Sequence, residues 1–322
     1  MKSFSEYSSR VESLLRGLSL PGGDLEGLYG PISYSLAAGG KRLRPSLTLM
    51  TADAFGGNAD KAVDAAIGLE IFHNFTLVHD DVMDSSPLRR GRPTVHERWN
   101  VNTAILSGDT MLTLATQFVS KVPDGVLREV LDVFNEMAIK VYEGQQLDVD
   151  FETREDVTLE DYIRMISCKT GALLGASAAI GALVGGASGE EAQKMYDYGM
   201  MLGIAFQIQD DWLDVYGDAN TFGKPIGGDI NNNKKSFLLL SGYGRDDSDS
   251  RALRDAMELP AGDTKVRTVT RIYDRMKMSD ICREAIALYS SKAVAALKST
   301  SLSEEARLPF KTLVDKLTGR RK

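Results

Sequence analysis

The sequence predicts an all-α fold, a single domain over residues 1–322 built as a helical bundle around a deep central cavity. Apolar residues recur at helical spacing, with few alternating β-branched runs. Only nine prolines interrupt 322 residues. One pattern, DDxxD, occurs twice, in FTLVHDDVMD ending at Asp84 and in FQIQDDWLD ending at Asp214, which suggests a pseudo-symmetric bundle with its site on facing helices. The chain is long enough to bury a large core, and no linker composition divides it.

The clearest helix is expected to start after Gly56-Gly57-Asn58 and run to Asp84. Its core face carries Val63, Ile67, Ile71, Phe75, Val78 and Val82. A second stripe carries His73, Leu77, Asp80 and Asp84, so the histidine lies roughly 10 Å before the aspartates and points the same way. The segment 199–216 repeats the arrangement with Gly203, Gln207, Asp210 and Asp214, and its glycine permits close approach of a neighbour. Between them come EGQQLD, ending at Asp148, and a helix from about Thr158 into a Gly/Ala-rich stretch. The uncharged run 170–189 is as long as a membrane span, but it holds few large aliphatics and reads as a packed interior helix, not a span. Loops are expected at 87–93, 217–228 and 242–249, and amphipathic helix follows Pro260.

Composition narrows the function. A net charge of -7 argues against a nucleic-acid partner, which requires a basic surface. Two cysteines, Cys168 and Cys282, are too few for a disulfide framework and fit a reduced, cytoplasmic setting. The N-terminus lacks the apolar run of a signal peptide.

In each DDxxD the first and last aspartates, Asp80 with Asp84 and Asp210 with Asp214, share a helix face. Like charges so placed lose stability without a cation between them. Mg²⁺ suits the pattern, because it is usually held by one or two carboxylates plus substrate phosphate oxygens. The alternative for either motif alone is a solvated acidic face, yet both follow uncharged runs, 71–78 and 200–209. Two basic clusters, GGKRLRP (39–45) and LRRGRPT (88–94), have the donor geometry of phosphate clamps, with Arg42 and Arg92 expected to be solvated loop charges.

The ordered motifs GGKRLRP, HNFTLVHDDVMD, RRGRPT, EGQQLD, KTG, FQIQDDWLD and FGKPIGGDI closely resemble the trans-isoprenyl diphosphate synthases, the family of farnesyl and geranylgeranyl diphosphate synthases. The resemblance runs from about residue 30 to residue 240. It implies the isoprenoid synthase type of all-α fold, a homodimer and three Mg²⁺ per active site. It also implies head-to-tail condensation of isopentenyl diphosphate with an allylic diphosphate. By matching position, Asp80, Asp84 and Asp210 would ligate Mg²⁺, and Asp81, Asp148 and Asp214 would support them. Lys41, Arg44, His73 and Arg90 would hold isopentenyl diphosphate. Arg89, Lys169 and Lys224, with Lys234 or Lys235, would reach the allylic diphosphate, and Thr170 and Gln207 would face the developing cation. The tail Arg320-Arg321-Lys322 resembles one that closes over the isopentenyl site in some members, or is a frayed end.

In that family the residues before the first aspartate motif form the floor that stops the growing chain. Aromatic Phe75 with small Thr76 implies a C20 product, with C15 the alternative. On the helical wheel Phe75 is about 140° from Asp80, Thr76 about 40° and Phe72 about 80°, so Phe75 could be a core residue and Phe72 the stop. Two rivals are a class I terpene cyclase and a non-catalytic partner subunit. The first does not need a second phosphate clamp, and the second typically loses aspartates from one motif.

Overall fold

The computed structural model describes residues 2–217 and 226–319. Among these the only sheet is a two-stranded ladder of two residues per strand, and nearly everything else is helix. The Cα framework forms two compact units.

Unit 1 comprises Met1–Asn135, Ala176–Gln193 and Leu302–Pro309. It opens with α1 (Phe4–Arg16), whose Ser3 and Glu6 form a capping box, then α2 (Glu26–Leu36) and α3 (Leu43–Gly56). Its centre is α4 (Val63–Met83), entered through a 3-10 turn at Ala59–Ala62. Ile67, Ile71, Phe75 and Val78 of the expected stripe are buried, but so are Ala65, Ala66, Leu69, Glu70, Phe72 and Asn74. The first half of α4 is therefore enclosed on nearly every side. Strands β1 (Leu88–Arg89) and β2 (Arg92–Pro93) follow, then α5 (Val95–Arg98) and α6 (Val101–Val119). Helices α4 and α6 pack tightly. A Cβ on Gly68 would lie 2.7 Å from a Val119 methyl, and one on Gly108 would overlap the His79 ring.

Helix α7 (Asp124–Thr153) starts in unit 1 and ends in unit 2, which comprises Glu136–Gly175, Lys194–Ser301 and Phe310–Lys322. Helix α8 (Leu159–Ile166) begins at a Thr158–Asp161 capping box, so Thr158 marks a helix start as the sequence indicates. It continues through one π-helical turn, Ser167–Gly171, into α9 (Ala172–Val184). Residues 171–184 are all buried, in keeping with an interior helix. Helix α10 (Gly189–Tyr216) carries the second aspartate motif in its last two turns. The remainder is α11 (Gly228–Asn231), α12 (Phe237–Tyr243), α13 (Ser248–Met257), α14 (Asp263–Arg275), α15 (Met278–Lys298) and α16 (Glu304–Thr318). The core of unit 2 gathers Tyr162, Ile166, Ile208, Trp212 and Leu213 with Phe237, Leu238, Val269, Tyr273 and Cys282.

Glycines set the closest approaches in unit 2. A Cβ on Gly203 would lie 2.7 Å from the Gly171 Cα, and one on Gly199 2.3 Å from the Leu174 carbonyl oxygen, so α10 meets the π turn and the start of α9 backbone to backbone. Gly144 does the same for α7, where a Cβ would sit 2.3 Å from the Lys169 nitrogen.

Candidate active site

In unit 1 the two basic loops meet. Gly39 and Gly40 have φ of 75° and 138°, conformations open to glycine but strained for other residues. A Cβ on Gly40 would lie 2.9 Å from the Arg90 guanidinium, and Arg90 donates to the Gly39 carbonyl. Arg90 and Gly91 are the two central residues between β1 and β2, both with positive φ (54° and 73°), as a two-residue primed hairpin turn requires. The turn thus aims Arg90 at the first loop. Thr94 fastens its base through Ser86 and Pro87.

Arg44, in the first turn of α3, contacts His73 of α4, Nη1 to Nε2 at 3.1 Å. A guanidinium can only donate, so His73 accepts at Nε2 and carries its proton on Nδ1. Desolvation, followed by Arg44, Arg90, Arg89 and Arg42, holds the His73 pKa well below the ordinary value. The imidazole is neutral and leaves the positive charge to the arginines. Lys41 is exposed beside this group. The structure therefore brings Arg44, His73 and Arg90 into one neighbourhood, with Lys41 on its adjoining loop.

Arg42 departs from expectation. It is not a solvated loop charge but is buried, 3 % exposed. Its Nη1 lies 2.6 Å from Glu70 Oε1, its Nε 2.9 Å from Glu12, and its Nη2 2.6 Å from the Leu36 carbonyl. Both acidic partners come from other helices, so adjacency to Lys41 in sequence does not disclose the pairing. Arg92 is half-buried, with its guanidinium 4.0 Å from the centre of the Tyr34 ring.

The aspartates of the first motif differ sharply. Asp81 is buried and receives Arg89 at 2.8 and 2.9 Å on its two oxygens. Burial raises its pKa, while the Arg89 bonds and charge oppose the rise. Asp80 is partly exposed and Asp84 exposed. Among the described residues no three His, Cys, Asp or Glu side chains converge as a complete metal cage. Oxygen donors one helical turn apart, at the exposed end of α4, suit a hydrated Mg²⁺ completed by substrate phosphate.

In unit 2, Lys169 and Thr170 lie on the π turn, the kind of bulge often found at functional sites. Lys169 Nζ is 2.5 Å from Asp148 Oδ2 of α7. The Thr170 hydroxyl is 3.2 Å from Gln207 Oε1, and Gln207 Nε2 is 3.3 Å from Asp211 Oδ1. Asp210 is partly exposed, and Asp214, buried, accepts the Asp229 backbone N–H at 3.0 Å. Lys234 lies 4.0 Å from Asp229 and is exposed, whereas Lys235 is partly buried. Lys224 and Arg320-Arg321-Lys322 lie outside the described residues.

Asp211 is the site residue that the sequence does not single out. It is buried, and its Oδ2 accepts from the Tyr162 hydroxyl at 2.7 Å and the Phe237 N–H at 2.9 Å. Burial and then Asp229 push its pKa up, to about 7, against Lys234 and the two donors.

Phe75 is buried, with ring centroids 5.5 Å from Phe72 and 4.9 Å from His79. Phe72 also meets Phe134 at 5.5 Å. Thr76 is partly exposed and donates to the His73 carbonyl.

The sequence pattern of the polyprenyl synthetase family matches residues 26–276. The chain is 42% identical over 238 residues to the geranylgeranyl diphosphate synthase of Methanosarcina mazei, covering 73% of each. It is 39% identical over 233 residues to the geranylfarnesyl diphosphate synthase of Natronomonas pharaonis, covering 67% of this chain and 68% of that one. A crystal structure of a geranylgeranyl pyrophosphate synthase superposes with a TM-score of 0.95 at 39% identity over 100% of both chains. With its aspartate motifs, its basic loops and these likenesses, the chain belongs to the polyprenyl synthetase family and is a prenyltransferase.

Proposed function

We propose that this protein condenses isopentenyl diphosphate with allylic diphosphates and releases a C20 product, geranylgeranyl diphosphate. The observation that carries the reading is the anion clamp of unit 1, where Arg44 of α3 and Arg90 of the β1–β2 turn gather beside Lys41 around neutral His73, which lies on α4, the helix that ends in Asp80 and Asp84. An enzyme that only ionised one diphosphate would have no use for it. The relatives named for C20 synthesis support the product length.

Asp80, Asp84 and Asp210 would hold Mg²⁺, which when bound stabilises charge on the departing diphosphate. Asp81 keeps Arg89 at the first motif, Asp148 pairs with Lys169, and Asp214 fixes the backbone at Asp229. Arg89 and Lys169, with Lys224 and Lys234, would bind the allylic diphosphate. Such cations stabilise the pyrophosphate that leaves with the C–O electron pair more than they stabilise the reactant. Thr170 and Gln207 turn oxygen atoms toward the allylic cation. The alkene of isopentenyl diphosphate, held by Lys41, Arg44, His73 and Arg90, attacks that carbon, and the proton lost from the adduct passes to pyrophosphate. The reaction as proposed requires that water be kept from the cation.

The chain-length floor would be the aromatic group of Phe72 and Phe75. The enzyme would work as one catalytic domain in a homodimer. Exposed Val101, Ile105 and Leu106 on α6 support the dimer, and the free thiols Cys168 and Cys282 support a cytoplasmic setting.

Incubation with Mg²⁺, labelled isopentenyl diphosphate and dimethylallyl, geranyl or farnesyl diphosphate, followed by dephosphorylation, tests the proposal. A C20 alcohol is expected, with longer products from Phe75→Ala. A C15 product would retain the mechanism and refute the length, a C25 product would place the chain with the geranylfarnesyl relative, and no elongation from any primer would refute the synthase reading.

A further inference from the structure

Asp210 and Asp211 are neighbours in sequence but about 100° apart around α10, so their side chains face different surroundings. Asp211 points into the core of unit 2, where three donors meet it. Tyr162 of α8 and the first backbone N–H of α12 share Oδ2, and the Gln207 amide nitrogen reaches Oδ1. None of the functions assigned above to the second aspartate motif uses this residue.

We infer that Asp211 is a positioning residue that fixes which way round the Gln207 side-chain amide sits. In its ionised form Asp211, with Oδ2 already accepting from Tyr162 and Phe237, accepts at Oδ1 and does not donate. The Gln207 NH₂ must therefore face Asp211, and its carbonyl oxygen must face away, towards Thr170. Thr170 cannot set this choice, because a hydroxyl donates or accepts according to its neighbour; here it donates to Gln207 Oε1. The sign of the amide dipole is thus decided where Gln207 meets Asp211 and presented where it meets Thr170. This rests on the reading that Gln207 faces the developing allylic cation. With the oxygen outward, the dipole stabilises positive charge; with the NH₂ outward, it opposes it.

Asparagine at position 211 would reverse the dipole at nearly constant volume. Its single oxygen is needed by Tyr162 and Phe237, which turns its own NH₂ towards Gln207. Two NH₂ groups cannot bond to each other, so the Gln207 amide rotates.

The test is a double-mutant cycle on the complete enzyme with geranyl and isopentenyl diphosphates. Asp211→Asn is expected to lower kcat about ten- to hundredfold, with KM values and the Mg²⁺ requirement within about threefold of wild type. In a Gln207→Ala background the same change is expected to cost less than about threefold, because it acts through the missing amide. Tyr162→Phe removes a bond to Asp211 from the far side; it should lower the unfolding temperature and keep kcat. Additive losses, or equal kcat losses in Asp211→Asn and Tyr162→Phe, would show a merely structural residue and overturn the inference. Full kcat in Gln207→Ala would also overturn it while leaving prenyl transfer intact. Should Asp211→Asn not fold, ¹⁵N spectra of the wild type decide the question. The Gln207 NH₂ signals, assigned by their absence in Gln207→Ala, should be shifted and protected from exchange, and free-amide signals would refute the orientation. The spectra decide it even if wild-type enzyme makes no product, an outcome that sinks only the functional reading.

Discussion

Arg42 is one of the charges that act on His73, yet the two groups are handled in opposite ways. Arg42 remains charged in the interior because Glu70 and Glu12 meet it on two sides. Removing one partner of such a group leaves the other buried and uncompensated, at a cost of about 3–5 kcal/mol. Arg42→Ala should therefore lose about that much stability in urea unfolding, whereas Arg92→Ala, which gives up one stacking contact, should lose no more than about 1 kcal/mol. His73 is instead kept neutral. Its folded pKa lies well below the ordinary value, so the unfolded chain binds a proton near pH 6.5 that the native protein does not. Stability from this group is complete above that pH and falls on acidification, by up to about 1.4 kcal/mol per pH unit. Between pH 5 and 7.5 the raised carboxyl of Asp211 contributes with the opposite sign, so the check is a difference: the wild-type unfolding free energy should decline relative to that of His73→Gln as the pH falls. Neither environment is legible in sequence. The charge run Lys41-Arg42 gives no sign that the second residue turns inward, because its acidic partners lie 28 and 30 positions away.

Helices follow from apolar spacing more directly than their junctions do. Apolar residues at three- and four-residue intervals place α4 and the end of α10, and Asp84 and Asp214 fall at the helix ends as expected. The π turn at Ser167–Gly171 has no such signal, because Ser-Cys-Lys-Thr-Gly favours no particular helical pitch. It follows from packing, with Gly144 against its backbone on one side and Gly203 against Gly171 on the other. The turn in turn places Lys169 against Asp148 and Thr170 against Gln207. Gly144→Ala should force α7 away from Lys169, lowering stability by about 1–3 kcal/mol and lowering kcat more than a stability loss of that size explains. Gly125→Ala, on the same helix with nothing within 4 Å of the added methyl, should raise stability by about 0.4–1 kcal/mol and leave turnover alone. Urea unfolding and steady-state kinetics on the two variants separate a junction from an ordinary helical glycine.

At the scale of the whole molecule, the surface contains what the site does not require. Val101, Ile105 and Leu106 on α6 are 46 %, 42 % and 59 % exposed, and Ile139, Tyr142 and Val149 on α7 are exposed as well. The α7 residues share one side, while those of α6 spread over about 140° of the exposed face. Single apolar residues are ordinary on a protein surface, but several large ones on the exposed face of one helix point to a partner. The buried side of α6 is already occupied by α4, so Val101, Ile105 and Leu106 cannot be absorbed by the core of unit 1. A second copy of the chain, meeting α6 with the same face, would satisfy them by two-fold symmetry. An interface of stable kind buries about 1,200–2,000 Å² in total, several times what these three side chains supply, so other surface must join them. Sedimentation velocity at micromolar concentration should give twice the chain mass for wild type. Leu106→Lys, which puts a charge at the most exposed of these three α6 positions and touches no site residue, should shift the protein towards monomer with unchanged helical circular dichroism. A wild-type monomer, or a dimer indifferent to the lysine, would mean that the α6 face is not where two copies meet.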